Sequence, residues 1–167
     1  VLIDKKNMHV YLCDFGCSKI IARDNVNRNE TYMCSRFYRA PELIIDRNLY
    51  GTGVDVWAYG CIFVEVCIGR VLFMEKDNLA MLVSHIRLLG RITEADIRSM
   101  NSTVSESDQF PTFPDRKSSW EFLFKKRSFG GHYESLCPRI LCFNINNRAT
   151  MKDILESSYF HSPASHT

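Results

Sequence analysis

The chain has 167 residues, of which 46% are hydrophobic and 12% aromatic, and its formal net charge is +2. That composition is globular, and a chain of this length buries roughly 70% of its unfolded surface, as one domain or as one lobe of a larger one. So small a charge leaves no footprint for nucleic acid or a membrane surface as a partner, and the basic cluster Lys125-Lys126-Arg127 suits a solvated helix end.

Val1-Leu2-Ile3 and Val10-Tyr11-Leu12-Cys13 are short β-prone runs, and Asp4-Lys5-Lys6-Asn7 between them predicts a hairpin. Asp14 then falls just past a strand end, and Cys17 to Thr31 is polar and loop-like. The longest apolar run, Val54 to Ile68, carries only Asp55 and Glu65 as charged residues. At about fifteen residues it is short of the roughly 20 that span a bilayer, so a buried core helix is expected, with Gly69 as its C-cap. Thr52 with Asp55, Thr93 with Asp96 and Thr150 with Asp153 have capping-box spacing, aspartate replacing glutamate. After Asn78 a helical face repeats Leu79, Leu82, Val83, Ile86 and Leu89 and stops at Gly90. A short helix is expected from Glu94 to Met100, then an irregular stretch from Asn101 to Ser119. Helices resume over Trp120–Lys126, His132–Cys142 and Thr150–Ser157.

The seven cysteines are odd in number and form no C-x-x-C pair, and Cys13, Cys61 and Cys67 lie in apolar runs. Free thiols in a reducing compartment follow, and a cytoplasmic location, with the nucleus in addition, is expected. His9, His85, His132, His161 and His166 have no metal-ligand spacing and read as ordinary core or surface histidines. The chain opens inside an apolar run at Val1, which raises the expectation of a truncated start.

Asp14-Phe15-Gly16 puts a carboxylate on a loop tip where glycine allows a sharp turn; an ordinary Asp-x-Gly turn and a ligand for Mg²⁺ are both open readings. Glu42 follows Pro41 at an expected helix start, and Arg148 precedes the Thr150 cap, so a buried Glu–Arg pair would account for both.

Asp14-Phe15-Gly16, followed within thirty residues by Ala40-Pro41-Glu42, is the frame of a protein-kinase activation segment. The blocks Leu12 to Lys19, Tyr32 to Ile44, Asp55 to Cys61, Leu89-Gly90, Ile97 to Asn101, Phe110-Pro111 and Asn147 to Thr150 extend the match across the chain. The sequence resembles the C-terminal lobe of protein kinases of the glycogen synthase kinase-3 subfamily. The resemblance implies a mainly α fold: a partial kinase domain over residues 1–161 with a short N-terminal β-hairpin, and a short tail at 162–167. It implies a serine/threonine kinase using ATP and Mg²⁺ on protein substrates, primed ones included, with Asp14 holding the metal on the ATP phosphates. It also implies that Tyr32 is an activating phosphosite, against an exposed loop tyrosine as the alternative, with Arg36 and Arg39 pairing the phosphate. Lys19, Asn29 and Arg36 would face the phosphate of a primed substrate. Asp55 would anchor the catalytic loop, or else serve the Thr52 cap. A scaffold protein would sit between the Leu79–Leu89 helix and the loop after Asn101, although Val104 and Ser107 stand where aromatic residues are expected and an insertion falls near Gln109.

The chain contains no glycine-rich G-x-G-x-x-G and no H-R-D-x-x-x-x-N catalytic loop. Ala22-Arg23-Asp24 with Asn29 imitates the latter but follows the D-F-G and lacks the histidine. The general base is therefore expected before Val1, and the chain alone is expected to be inactive and poorly soluble or partly unfolded, one side of its apolar helix being uncovered. A non-catalytic, pseudokinase-like interaction module and a gene remnant are the competing readings.

Overall fold

A computed structural model describes residues 1–18, 35–45, 50–100, 119–125 and 131–161. Strands β1 (Leu2–Asp4) and β2 (His9–Tyr11) pair antiparallel, Ile3 opposite Val10, around the Lys5–Met8 turn. Leu12 and Cys13 lie beyond the strand, and Cys13 is exposed rather than packed, because no element among the described residues covers the hairpin's faces. The remaining described elements are helical: α1 (Pro41–Ile45), α2 (Gly53–Ile68), α3 (Asn78–Leu89), α4 (Glu94–Ser99), α5 (Trp120–Lys125), α6 (Gly131–Ile140), α7 (Met151–Leu155) and α8 (Ser158–His161). Single 3₁₀ turns occupy Phe15–Cys17 and Arg36–Tyr38.

Helix α2 is the axis of the core. Trp57, Cys61 and Val64 face Phe73, Met81, Trp120, Tyr133, Cys137 and Leu141. Val56 meets Leu136, Ile140, Ala149 and Ile154 on another side. A separate cluster of Leu82, Ile86, Ile92, Ile97, Met100 and Phe143 joins α3 to α4. At the α2–α6 crossing Gly60 is required by space: a Cβ there would lie 2.6 Å from Ile140 Cγ2 and 2.9 Å from Leu141 Cδ2. Gly69 ends α2 at φ 71°, a left-handed conformation that costs glycine nothing, and its N–H bonds the Glu65 carbonyl.

Two of the three Thr–Asp caps form. Thr93 and Thr150 each accept from the backbone N–H three residues on, while the Asp96 and Asp153 carboxylates accept from the threonine N–H. Thr52 makes no side-chain cap bond, because its own backbone is already helical (φ −61°, ψ −16°) and an N-cap needs the extended region to aim its hydroxyl back. Helix α3 is instead capped by Asp77, which accepts from the Ala80 N–H. Its buried face is Met81, Leu82, His85, Ile86 and Leu88, with Leu79 exposed. The stripe is rotated from the leucine repeat because Trp57 and Phe73 supply the opposing surface, and they meet His85. Helix α6 stops at Ile140, short of Cys142, and the residues after it turn to meet Arg148.

Candidate functional site

Asp14 stands between β2 and the Phe15–Cys17 turn with φ 64° and ψ 71°. Left-handed backbone is uncommon for a residue with a Cβ, though aspartate tolerates it better than most, and such strain concentrates at functional positions. Asp14 and Phe15 are both exposed, and among the described residues the Asp14 carboxylate makes no hydrogen bond or ion pair. Its oxygens are hard donors with open access, which suits one protein ligand of a Mg²⁺ ion that draws its other ligands from phosphate and water.

The closing part of the same stretch is fixed on α2 and α3 by polar side chains. Arg36 donates through Nη1 to the Lys76 carbonyl. Tyr38 donates its hydroxyl to Glu65 Oε2 on α2 at 2.9 Å. Burial first, and the Glu65 hydrogen bond and charge second, raise the Tyr38 phenol above its ordinary value. Arg39 Nη1 reaches Asn78 Oδ1, at the start of α3, at 3.1 Å. The sequence holds no signal for these contacts, since Glu65 and Asn78 belong to no motif.

Behind this segment Glu42 and Arg148 meet. Arg148 Nη1 lies 2.7 Å from Glu42 Oε1 and Nη2 lies 3.0 Å from Oε2. The remaining donors go to the carbonyls of Gly53, at 2.9 Å, and Cys142, at 3.2 Å from Nη2. The guanidinium carbon also sits 5.1 Å from the centre of the Trp57 ring. One side chain thus ties α1, the start of α2 and the end of α6.

The structure brings Asp14, Arg36, Glu42, Asp55 and Arg148 into view but joins only Glu42 to Arg148 among them. Asp55 is exposed on the first turn of α2, with no hydroxyl cap beside it to serve. Lys19, Asn29 and Tyr32 lie outside the described residues, as does the loop half of the expected scaffold groove after Asn101. Arg36, expected to meet a phosphate, holds the Lys76 carbonyl through Nη1.

A family model of the protein kinase domain matches residues 1–160. The chain belongs to the protein kinase family. This kinase chain is 34% identical over 161 residues to a protein named glycogen synthase kinase 3 from Trypanosoma brucei brucei (strain 927/4 GUTat10.1). The match takes in 96% of the chain and 44% of that relative, so the chain spans less than half the length of the curated relative it matches. The mostly helical fold with its two-stranded hairpin fits a kinase, and the mapped motifs can be placed on it: D-F-G on the exposed turn after β2, A-P-E at the start of α1.

Proposed function

We propose that the chain is the C-terminal-lobe portion of an ATP-dependent serine/threonine protein kinase of the glycogen synthase kinase-3 kind. Residues 1–161 are that lobe and 162–167 a tail. The observation that carries this reading is Asp14: the D-F-G aspartate of a kinase-family chain, held in a left-handed backbone with its carboxylate open to a cation.

Bound at Asp14, Mg²⁺ would neutralise the charge of the ATP phosphates during phosphoryl transfer. The chain's own residues then do four things. Asp14 would hold the cation and so orient the ATP phosphates. Arg36, Tyr38 and Arg39 hold the end of the activation segment on α2 and α3, fixing the surface on which a protein substrate lies. Lys19 and Asn29, with a share from Arg36, bind the phosphate of a primed substrate, and Tyr32 is the activating phosphosite. Asp55, exposed at the head of α2, anchors the catalytic loop, and the general base lies in the part of the kinase that this chain does not span.

Two apolar surfaces support the partial-domain reading. Leu2, Leu12 and Phe15 on and beside the hairpin are 61%, 74% and 65% exposed, and Val66 on α2 is 77% exposed. A kinase lobe that docks against the rest of its domain would cover such surfaces. Alone, the chain is inactive and binds hydrophobic dyes. A scaffold protein would bind along α3 and the sequence after Asn101, and the protein would work in the cytoplasm and also in the nucleus.

The test is a phosphorylation assay on the full-length gene product and its Asp14→Ala variant, with the 167-residue chain assayed beside them. The full protein should phosphorylate serine or threonine, preferring a primed peptide. The variant should lose activity by on the order of a hundredfold or more, as when one preorganised electrostatic group is removed. Undiminished turnover in the variant would sink the metal role of Asp14; phosphorylation by the 167-residue chain alone would sink the partial-domain reading.

A further inference from the structure

His85 lies in α3 with no exposed surface. Phe73 meets its ring edge-on, centroids 4.4 Å apart, and Trp57 is tilted against it at 4.8 Å. Neither ring nitrogen has a hydrogen-bond partner, and the indole N–H of Trp57 beside it is buried without one as well. Most buried polar groups in folded proteins are paired, so three unmet polar atoms at one spot need a reason.

A neutral imidazole leaves one N–H and one lone pair unsatisfied in this slot; an imidazolium would leave two N–H groups and a full charge. Among the described residues, the groups facing it offer no relief. Trp57 from α2 and Phe73 from the α2–α3 connection are uncharged. Arg148, between α6 and α7, presents a like charge across the Trp57 ring. Glu42 from α1 has both oxygens taken by Arg148. On α3 itself, Asp77 is engaged in capping at the Ala80 N–H, and Arg87 is exposed.

We propose that His85 is an acid-labile lock on the packing of α3 against α2. When the imidazole takes a proton, the ring leaves the slot between Trp57 and Phe73, and α3 opens with it. The lock is separate from the kinase reading, since it rests only on the core. Desolvation first, and the Arg148 charge second, lower the His85 pKa from 6.5 to about 3. A lowered folded-state value means that the opened form binds the proton more readily. The stability due to His85 is therefore complete above pH 6.5 and is lost as pH falls from 6.5 towards about 3. Within that window the opening equilibrium rises about tenfold per pH unit.

Hydrogen exchange of the α3 amides tests this in the intact protein, from pH 7.5 to pH 5, with intrinsic rates corrected for pH. Opening of α3 should grow about thirtyfold between pH 7.5 and pH 5 in the unmodified protein and stay flat in His85→Leu. His9, His132 and His161 are exposed and identical in both proteins. Equal pH dependence in the two proteins overturns the proposal. Should His85→Leu not fold, the ring C–H signal of His85 decides by NMR in the unmodified protein. A folded-state signal unshifted down to pH 5, fading as an unfolded one grows, supports the lock; an inflection near pH 6.5 with α3 still protected overturns it.

Discussion

Arg148 and Glu42 are 106 positions apart and form a two-pronged ion pair at 2.7 and 3.0 Å. Their side chains are 2% and 1% exposed. Two charges taken out of water are tolerable only when every remaining donor is also satisfied, and here the Gly53 and Cys142 carbonyls do that. Removing one partner strands the other: Glu42→Gln or Arg148→Met should cost about 3–5 kcal/mol by urea unfolding. The double replacement should recover part of that loss. A single-variant cost under about 1 kcal/mol would show that the pair is not holding α1 to α2 and α6.

Gly60→Ala should lower stability by about 1–3 kcal/mol, since the added methyl enters occupied space at Ile140 and Leu141. Both obstacles are branched side chains pinned in the core, so neither can swing away. A thermal melt compared with Ala58→Gly, which only removes a methyl on the same helix, separates crowding from helix propensity.

The caps make a graded set. Thr93→Ala and Thr150→Ala should each cost about 1 kcal/mol, and Thr52→Ala much less, because only the first two make cap bonds. The two losses should add, as the helices share no cap partner. The Thr150 hydroxyl and then its backbone N–H hold the Asp153 carboxyl below its ordinary 3.8. That contribution is present above pH 3.8 and fades as pH falls through the lowered value, so Thr150→Ala should flatten the acid limb of the stability curve.

Tyr38→Phe should loosen the segment from Ser35 to Arg39 by about 0.5–1.5 kcal/mol, the net worth of one hydrogen bond. Glu65→Gln should bring the Tyr38 phenol back towards its ordinary 10, leaving the part of the shift caused by burial. Hydrogen exchange over the segment reads the first effect and ultraviolet titration the second. Unchanged exchange in Tyr38→Phe would mean that Arg36 and Arg39 suffice to hold it.

Much of this was legible from residue types and spacing. Two β-prone runs around Asp4–Asn7 predict the hairpin, the Val54–Ile68 run predicts α2, and Thr93 and Thr150 announce their helices three residues before their aspartates. These are local signals, fixed by side-chain chemistry within a few residues. Thr52 shows the limit of the same rule. Its spacing to Asp55 is right, but the helix already includes it, and backbone conformation decides where a hydroxyl points. Helix α8 escaped notice because Ser158–His161 is too short to show a period.

The sequence by itself determined the family of this chain, through D-F-G and A-P-E in order, and all but the shortest of its helices, because both are written in short-range pattern. Tertiary structure alone decided which faces those helices bury. Leu79 is left in water while His85 is enclosed by Trp57 and Phe73. It also gave Glu65 and Asn78 their partners on the segment after Ser35. Burial depends on what arrives from a distant part of the chain, and no spacing within one helix records that.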